Sequence, residues 1–286
     1  MISHELLRLE NISYTYGEAV PALEGVSVSI SAGERIAVLG SNGAGKSTFF
    51  FCCNGVLSPQ SGEVFLCGQK VSNRGKDIFR LREAVGMVFQ DPDDQIIAST
   101  VESEISFGPM NLKLDRTEVV RRVDGAVGAM ALQALRSRPP HYLSGGEKKL
   151  VTIADILAME PQIILFDEPT SSLDPQNTSR FKRILEDLSS LGMTFMVSTH
   201  DIDFAWEWAE RVLVFHDGKL LADAEPTEAF GDEALLAKAG LRKPLLYTAT
   251  QAVCSAMNIP LPSNIPRNIS DFTHYAADIA PPRAQK

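Results

Sequence analysis

The sequence predicts an α/β protein built on a mostly parallel core sheet, and three features carry that prediction. Ile36-Ala37-Val38-Leu39, Ile163-Ile164-Leu165-Phe166 and residues 194–199 are continuous apolar or β-rich runs, as in strands buried on both faces of a parallel sheet. The first run leads directly into a glycine-rich turn and then a helix-forming stretch, the order of a βα unit. Residues 6–12 and 26–30 alternate apolar and polar side chains instead, which gives an antiparallel layer exposed on one side.

The remaining elements follow in chain order. Val85-Gly86-Met87-Val88-Phe89 is a further apolar run, ending at Gln90. From about residue 101 to 139 the pattern is helical, with Ser99-Thr100-Val101-Glu102 read as a capping box. Residues 212–215, the turn His216-Asp217-Gly218-Lys219 and residues 220–222 form a hairpin. Beyond Pro226 the composition changes: seven of the sixteen prolines (226, 244, 260, 262, 266, 281, 282) fall in the last 61 residues. Helical stretches at 227–239 and 245–258 lie between them, and the closing Pro281-Pro282-Arg283-Ala284-Gln285-Lys286 is expected to fray. Residues 5–225 thus read as the main domain, with a helical subdomain at about 91–160, and 226–286 as a Pro-rich helical extension.

Composition excludes several classes. At 44% hydrophobic and 22% charged the chain is ordinary for a globular protein. No apolar run approaches the ~20 residues that span a bilayer, and the N-terminus has no signal-peptide pattern. The chain is therefore expected not to cross a membrane by itself. Cys52, Cys53, Cys67 and Cys254 form no C-x-x-C pair and read as reduced, small hydrophobes. A net charge of −9 argues against a nucleic-acid surface.

The turn after the first buried run is Gly40-Ser41-Asn42-Gly43-Ala44-Gly45-Lys46-Ser47-Thr48, which fits G-x-x-x-x-G-K-[ST] in the context that motif requires. Its glycines let backbone N–H groups turn inward around phosphates, and the next helix offers the positive end of its dipole to the same anion. Lys46 would reach the β/γ-phosphates of a nucleoside triphosphate, and the Ser47 hydroxyl would ligate Mg²⁺. Asp167 and Glu168 end the run at 163–166 and, by strand alternation, point in different directions. Asp167 suits the Mg²⁺ shell and Glu168 the polarising of an attacking water. His200 lies where open α/β sheets bind ligands and could contact the γ-phosphate. The Gln90 amide could reach metal or water. Leu143-Ser144-Gly145-Gly146-Glu147 offers a hydroxyl and unbonded N–H groups at a helix start, a second anion site.

This ordered set resembles the ATPase subunit of an ABC transporter, a P-loop NTPase fold, over roughly residues 5–225. The resemblance implies that Leu143–Glu147 is the signature, Gln90 the Q-loop glutamine, and Ser171-Ser172-Leu173-Asp174 part of the D-loop. It makes His200 the switch histidine and Tyr16 the ring that stacks on adenine, with Tyr14 on the same strand face as the alternative. Phe89-Gln90-Asp91-Pro92-Asp93-Asp94-Gln95, Phe107-Gly108-Pro109-Met110-Asn111-Leu112 and Ser144-Gly145-Gly146-Glu147-Lys148-Lys149 are similar to the energy-coupling factor branch, within it most to cobalt or nickel uptake ATPases. Leu150 and Asp155 depart from the pattern, which usually has a basic and a small residue there, and both are expected on the helix surface.

The resemblance implies an ATP- and Mg²⁺-dependent ATPase seated peripherally on the cytoplasmic face of the cell membrane. It would act as a head-to-tail pair, homodimer or with a paralogue, alongside a transmembrane coupling subunit and a substrate-binding membrane subunit. Vitamin uptake is the alternative cargo. ABC ATPases of DNA repair carry long coiled coils between the phosphate loop and the signature, and no sustained heptad pattern lies between Lys46 and Ser144. Ribosomal types carry two cassettes where this chain shows one, and the intact Glu168 and His200 disfavour a non-hydrolysing module.

Overall fold

A computed structural model of the chain describes residues 4–17, 20–72, 74–171 and 173–279. The apolar runs form one six-stranded sheet. Its strands are β3 (Arg35–Leu39), β6 (Val85–Val88), β7 (Ile163–Asp167), β8 (Thr194–Ser198), β9 (Arg211–His216) and β10 (Lys219–Ala224), in the order β10-β9-β3-β8-β7-β6. Every pairing is parallel except the hairpin of β9 with β10. The alternating segments form the second sheet, in which β1 (Glu5–Tyr16) pairs antiparallel with β2 (Val20–Ser31) and with β4 (Ser61–Leu66), and β5 (Gln69–Lys70) completes the edge.

Both faces of the parallel sheet are covered, which is why its strands lack polar alternation. Ile36, Val38, Leu165 and Leu213 pack toward the antiparallel sheet and the helix α1 (Lys46–Asn54). Ala37, Leu39, Phe166 and Val197 face the opposite layer, which includes α5 (Gly145–Ala158), α6 (Pro175–Ser190) and α7 (Ile202–Trp208). Between β6 and β7 the chain adds α3 (Val101–Asn111) and α4 (Arg116–Ala129), whose Ile105, Val123 and Val127 join the same core; α2 (Lys76–Ala84) precedes β6.

Several local expectations need correction. The cap of α3 is Thr100, accepting from Ser103 N–H, so Ser99 and Glu102 do not form a capping box. The box is found on α5 instead: the Ser144 hydroxyl accepts from the Glu147 N–H while the Glu147 carboxylate accepts from the Ser144 N–H. Leu150 and Asp155 are buried at 6% and 8% exposure, not at the surface, because α5 is packed on most sides by α3, α4 and the sheet.

The expected helix at 227–239 is two helices, α8 (Pro226–Gly231) and α9 (Glu233–Ala239), since Asp232 caps the second by accepting from Ala234 and Leu235 N–H. Helix α10 (Leu245–Met257) packs on its own chain: Tyr247 meets the buried Trp206 ring edge-on at 5.5 Å. Helix α11 (Ile269–Ile279), for which no expectation was drawn, follows. Trp206 Nε1 donates to Pro266 O at 3.0 Å, and Arg267 donates back to Trp206 O at 2.6 Å, fastening the segment between α10 and α11. The closing residues 281–286, and Ser172, lie outside the described residues. No described helix is long and apolar enough to cross a membrane.

Candidate functional site

The site grows from the C-terminal edge of the parallel sheet. After β3 the chain must turn tightly to start α1, and glycine makes that possible. Gly40 sits at φ +151° and Gly45 at φ +104°; an added Cβ would come within 2.4 Å of Phe215 O and Ala22 O respectively. No side chain caps α1, so its first N–H groups remain available for an anion. Lys46 Nζ folds over this loop, donating to Gly40 O at 2.8 Å and Ser41 O at 3.2 Å, and stands 3.7 Å from Glu168 Oε1. Its three donors leave capacity for a phosphate oxygen.

Asp167 and Glu168 do diverge, but strand alternation is only part of the reason. Strand β7 ends at Asp167, and Glu168 takes φ +43°, a left-handed turn rare for a residue with a side chain. Parallel register sets Ser198 of β8 beside Asp167. There the Ser198 hydroxyl donates to Asp167 Oδ1 at 2.5 Å and accepts from the Glu168 N–H at 2.9 Å. His200 Nε2 lies 2.9 Å from Glu168 Oε1, yet without hydrogen-bond directionality, and that buried oxygen has no hydrogen-bond partner among the described residues. A buried carboxylate oxygen left in this way fits a water or phosphate-bound group in the cleft. Burial pushes the Glu168 carboxyl above its ordinary value, with His200 and Lys46 opposing and Asp167 reinforcing. Burial likewise pushes the Lys46 ammonium down, against the pull of Glu168 and Asp167.

A cleft of about 630 Å³ joins these groups, lined by Asn42–Thr48, Gln90, Glu168 and His200, with Tyr16 at its rim. Tyr16, half exposed, is the tyrosine that reaches the cleft, its hydroxyl accepting from Thr48 Oγ1 at 3.4 Å; Tyr14 packs edge-on against it at 4.9 Å. Of the three residues expected to hold a metal, Ser47 and Gln90 line this cleft, whereas the buried Asp167 is not among its lining residues; between them they offer a hydroxyl, an amide carbonyl and a carboxylate, oxygen donors of the kind Mg²⁺ takes. Ser144, Gly145, Gly146 and Glu147 are not brought to this cleft. They start α5 elsewhere on the surface, with Ser144 and Gly145 exposed.

Sequence reasoning missed Val20, Pro21 and Ala22, which form one wall of the cleft, and Ser198, which orients both acids. The wall carried no signal, being an ordinary strand start. Ser198 could have been found only by pairing β7 with β8.

A family model described as ABC transporter matches residues 23–171. The chain is 45% identical over 239 residues to the energy-coupling factor transporter ATP-binding protein EcfA of Methanothermobacter thermautotrophicus, covering 84% of this chain and 77% of that one. The protein of the same name from Methanocaldococcus jannaschii is 41% identical over 256 residues, covering 90% and 92%. The chain belongs to the energy-coupling factor ATP-binding subunits of the ABC transporter family.

Two solved structures extend the comparison. The cbiO1 structure from Clostridium perfringens, part of the ABC transporter complex cbiONQ, superposes with a TM-score of 0.74 at 36% identity, covering 90% of this chain and 100% of that one. A dimeric ATP-binding cassette in a post-hydrolysis state with ADP and Pi does so with a TM-score of 0.69 at 29% identity, covering 77% and 99%. The chain is an ABC-type ATPase that binds ATP and converts it with water to ADP and phosphate.

Proposed function

We propose that this ATPase works as a head-to-tail pair that energises uptake by a membrane complex, with cobalt or nickel ions as cargo. One observation supports the pairing: the two stretches read as anion-binding, the Lys46 loop and the helix start at Ser144, do not meet within the described residues. The Lys46 cleft lacks a cover, and Ser144–Glu147 presents a capped helix start on another face. A second copy, or a paralogue, would bring its signature over the first chain's triphosphate, so ATP acts as glue.

In this reading the loop from Gly40 to Thr48 cradles the phosphates, Lys46 meets the β/γ oxygens, and Tyr16 stacks on adenine. Glu168 accepts a proton from the attacking water, and His200, 2.9 Å from it, contacts the γ-phosphate. Ser47, Gln90 and Asp167 would hold Mg²⁺, which would neutralise charge on the phosphates. The chain would sit on the cytoplasmic face of the membrane. A transmembrane coupling subunit would dock near the Gln90 loop, and a substrate-binding membrane subunit would complete the complex.

The cargo rests on the sequence motifs and on likeness to cbiO1. Co-expression with its membrane partners and reconstitution in ATP-loaded vesicles would test it. Uptake of labelled cobalt or nickel that disappears with Glu168→Gln is expected. Uptake of a vitamin instead, or metal uptake indifferent to Glu168→Gln, would overturn the assignment.

A further inference from the structure

Lys149, at 1% exposure, is buried beside the Gln90 loop and does not line the nucleotide cleft. It lies on α5, little more than one helical turn past Ser144. A buried ammonium must find acceptors, and its acceptors are the loop itself: Nζ donates to Phe89 O at 2.6 Å and Gln90 O at 3.0 Å. A second tie runs in parallel. The Gln95 side chain accepts from Phe89 N–H at 3.2 Å and donates to Thr152 O and Asp155 Oδ2, both at 3.1 Å on α5. Both backbone groups of Phe89 and the carbonyl of Gln90 are thus fixed to the helix that begins with Ser144. The pairing of Lys148 with Asp93 adds a third contact at 2.6 Å, but Asp93 is exposed and such a pair contributes little. The charge-assisted bonds of Lys149 carry the attachment.

We propose that Lys149, seconded by Gln95 and Asp155, is a positioning residue that sets where the Gln90 amide stands in the cleft. Through it the signature helix and the Gln90 loop move as one body. Ser144, facing the partner's nucleotide, and Gln90, facing the chain's own, are then mechanically linked, so closure over one site registers at the other. The inference rests on the reading of Gln90 as a metal ligand.

The test is equilibrium Mn²⁺ binding to the full chain with a non-hydrolysable ATP analogue, followed by electron paramagnetic resonance, alongside analogue binding without metal. Lys149→Met is expected to weaken Mn²⁺ binding by about tenfold, the usual cost of losing a group that orients a metal ligand. Analogue affinity without metal should change by less than about twofold, since Lys149 does not line the nucleotide cleft. Gln90→Ala should weaken Mn²⁺ binding as much, and the double variant no more than Gln90→Ala alone, because both changes act through one amide. Normal Mn²⁺ binding by folded Lys149→Met, with Gln90→Ala impaired, would overturn the positioning role alone. Normal binding by Gln90→Ala would overturn the reading of Gln90 as well. Additive losses in the double variant would mark Lys149 as generally structural. If Lys149→Met fails to fold, Gln95→Ala, which changes no charge, is read by the same pair of measurements.

Discussion

Asp155 makes the stability of this protein depend on pH in a way that a single substitution should reveal. The side chain lies on a helix that the core surrounds, and burial pushes its carboxyl up to about 7 from an ordinary 3.8. The Gln95 amide works against that shift, and the buried Glu104 adds to it. Below about pH 4 both folded and unfolded states carry the proton, and the group is neutral toward folding. Between about pH 4 and 7 the unfolded chain has lost the proton while the folded chain keeps it. Stability then falls by about 1.4 kcal/mol for each pH unit. Above pH 7 the loss is complete, at about 4 kcal/mol.

Asp155→Asn keeps the shape and an oxygen to accept from Gln95, but nothing to ionise. Relative to the parent it should gain about 2.5 kcal/mol between pH 5 and pH 7.5, an advantage of roughly 4 °C in unfolding midpoint for a chain of this size. Thermal unfolding of both proteins across that range, without nucleotide, measures it. Midpoints that run parallel from pH 5 to 7.5 would show that Asp155 does not hold its proton in the fold, and the argument from burial would fail.

Lys46→Ala should abolish ATP binding and dimer closure together, whereas Glu168→Gln should bind ATP, lose at least about 10²-fold in hydrolysis and accumulate as a closed dimer in size-exclusion chromatography. Adding Ser144→Arg to Glu168→Gln should dissolve that trapped dimer; its persistence would remove the signature from the interface. Ser198→Ala should lower kcat by about tenfold or more, because it releases both acids at once; KM for ATP should stay within about twofold, as Ser198 does not line the cleft. Truncation after Glu225 should lower the unfolding midpoint by uncovering Trp206, which packs on Phe230 and Tyr247; sedimentation with ATP should find the dimer little changed, since the nucleotide cleft and the signature lie upstream.

What the sequence made legible was local or repetitive. The loop at 40–48 announces itself because turn, charge and helix start are adjacent in the chain, and the buried strands because both of their faces demand apolar side chains. Asp155 was misplaced because an acidic residue on a helix normally marks its wet face. Its burial depends on α3 and α4 closing over α5, which no pattern within α5 reveals. The break at Asp232 was readable in principle, since Asp is a preferred cap, but the apolar residues on either side ran together as one helix. Helix α11 carries apolar residues at helical spacing (Ile269, Phe272, Ala276, Ile279), a stripe that periodicity could have shown, although the fold leaves no residue of this helix buried. Its cap, with Asn268 accepting from Asp271 N–H at 2.9 Å, is a second local clue.

The hardest feature to read from the chain is also the one on which the chemistry turns. In the proposed function two acids adjacent in sequence do different work, and adjacency alone would leave them repelling each other. The Ser198 hydroxyl, fully buried, spends its one hydrogen on Asp167 and accepts the Glu168 N–H, so Asp167 is pinned along the strand while the next residue is turned off it. That turn carries Glu168 into φ +43°, a conformation that costs of order 1 kcal/mol or more and persists only where surrounding bonds hold it. Here they do: the Glu168 carbonyl accepts from both the N–H and the hydroxyl of Ser171. The strain therefore has a use. It places the Glu168 carboxyl between Lys46 and His200, in surroundings that raise its proton affinity, and a carboxylate so placed is a stronger base toward water than an exposed one. Lys46 and His200, both within 4 Å of Glu168 Oε1, oppose that rise.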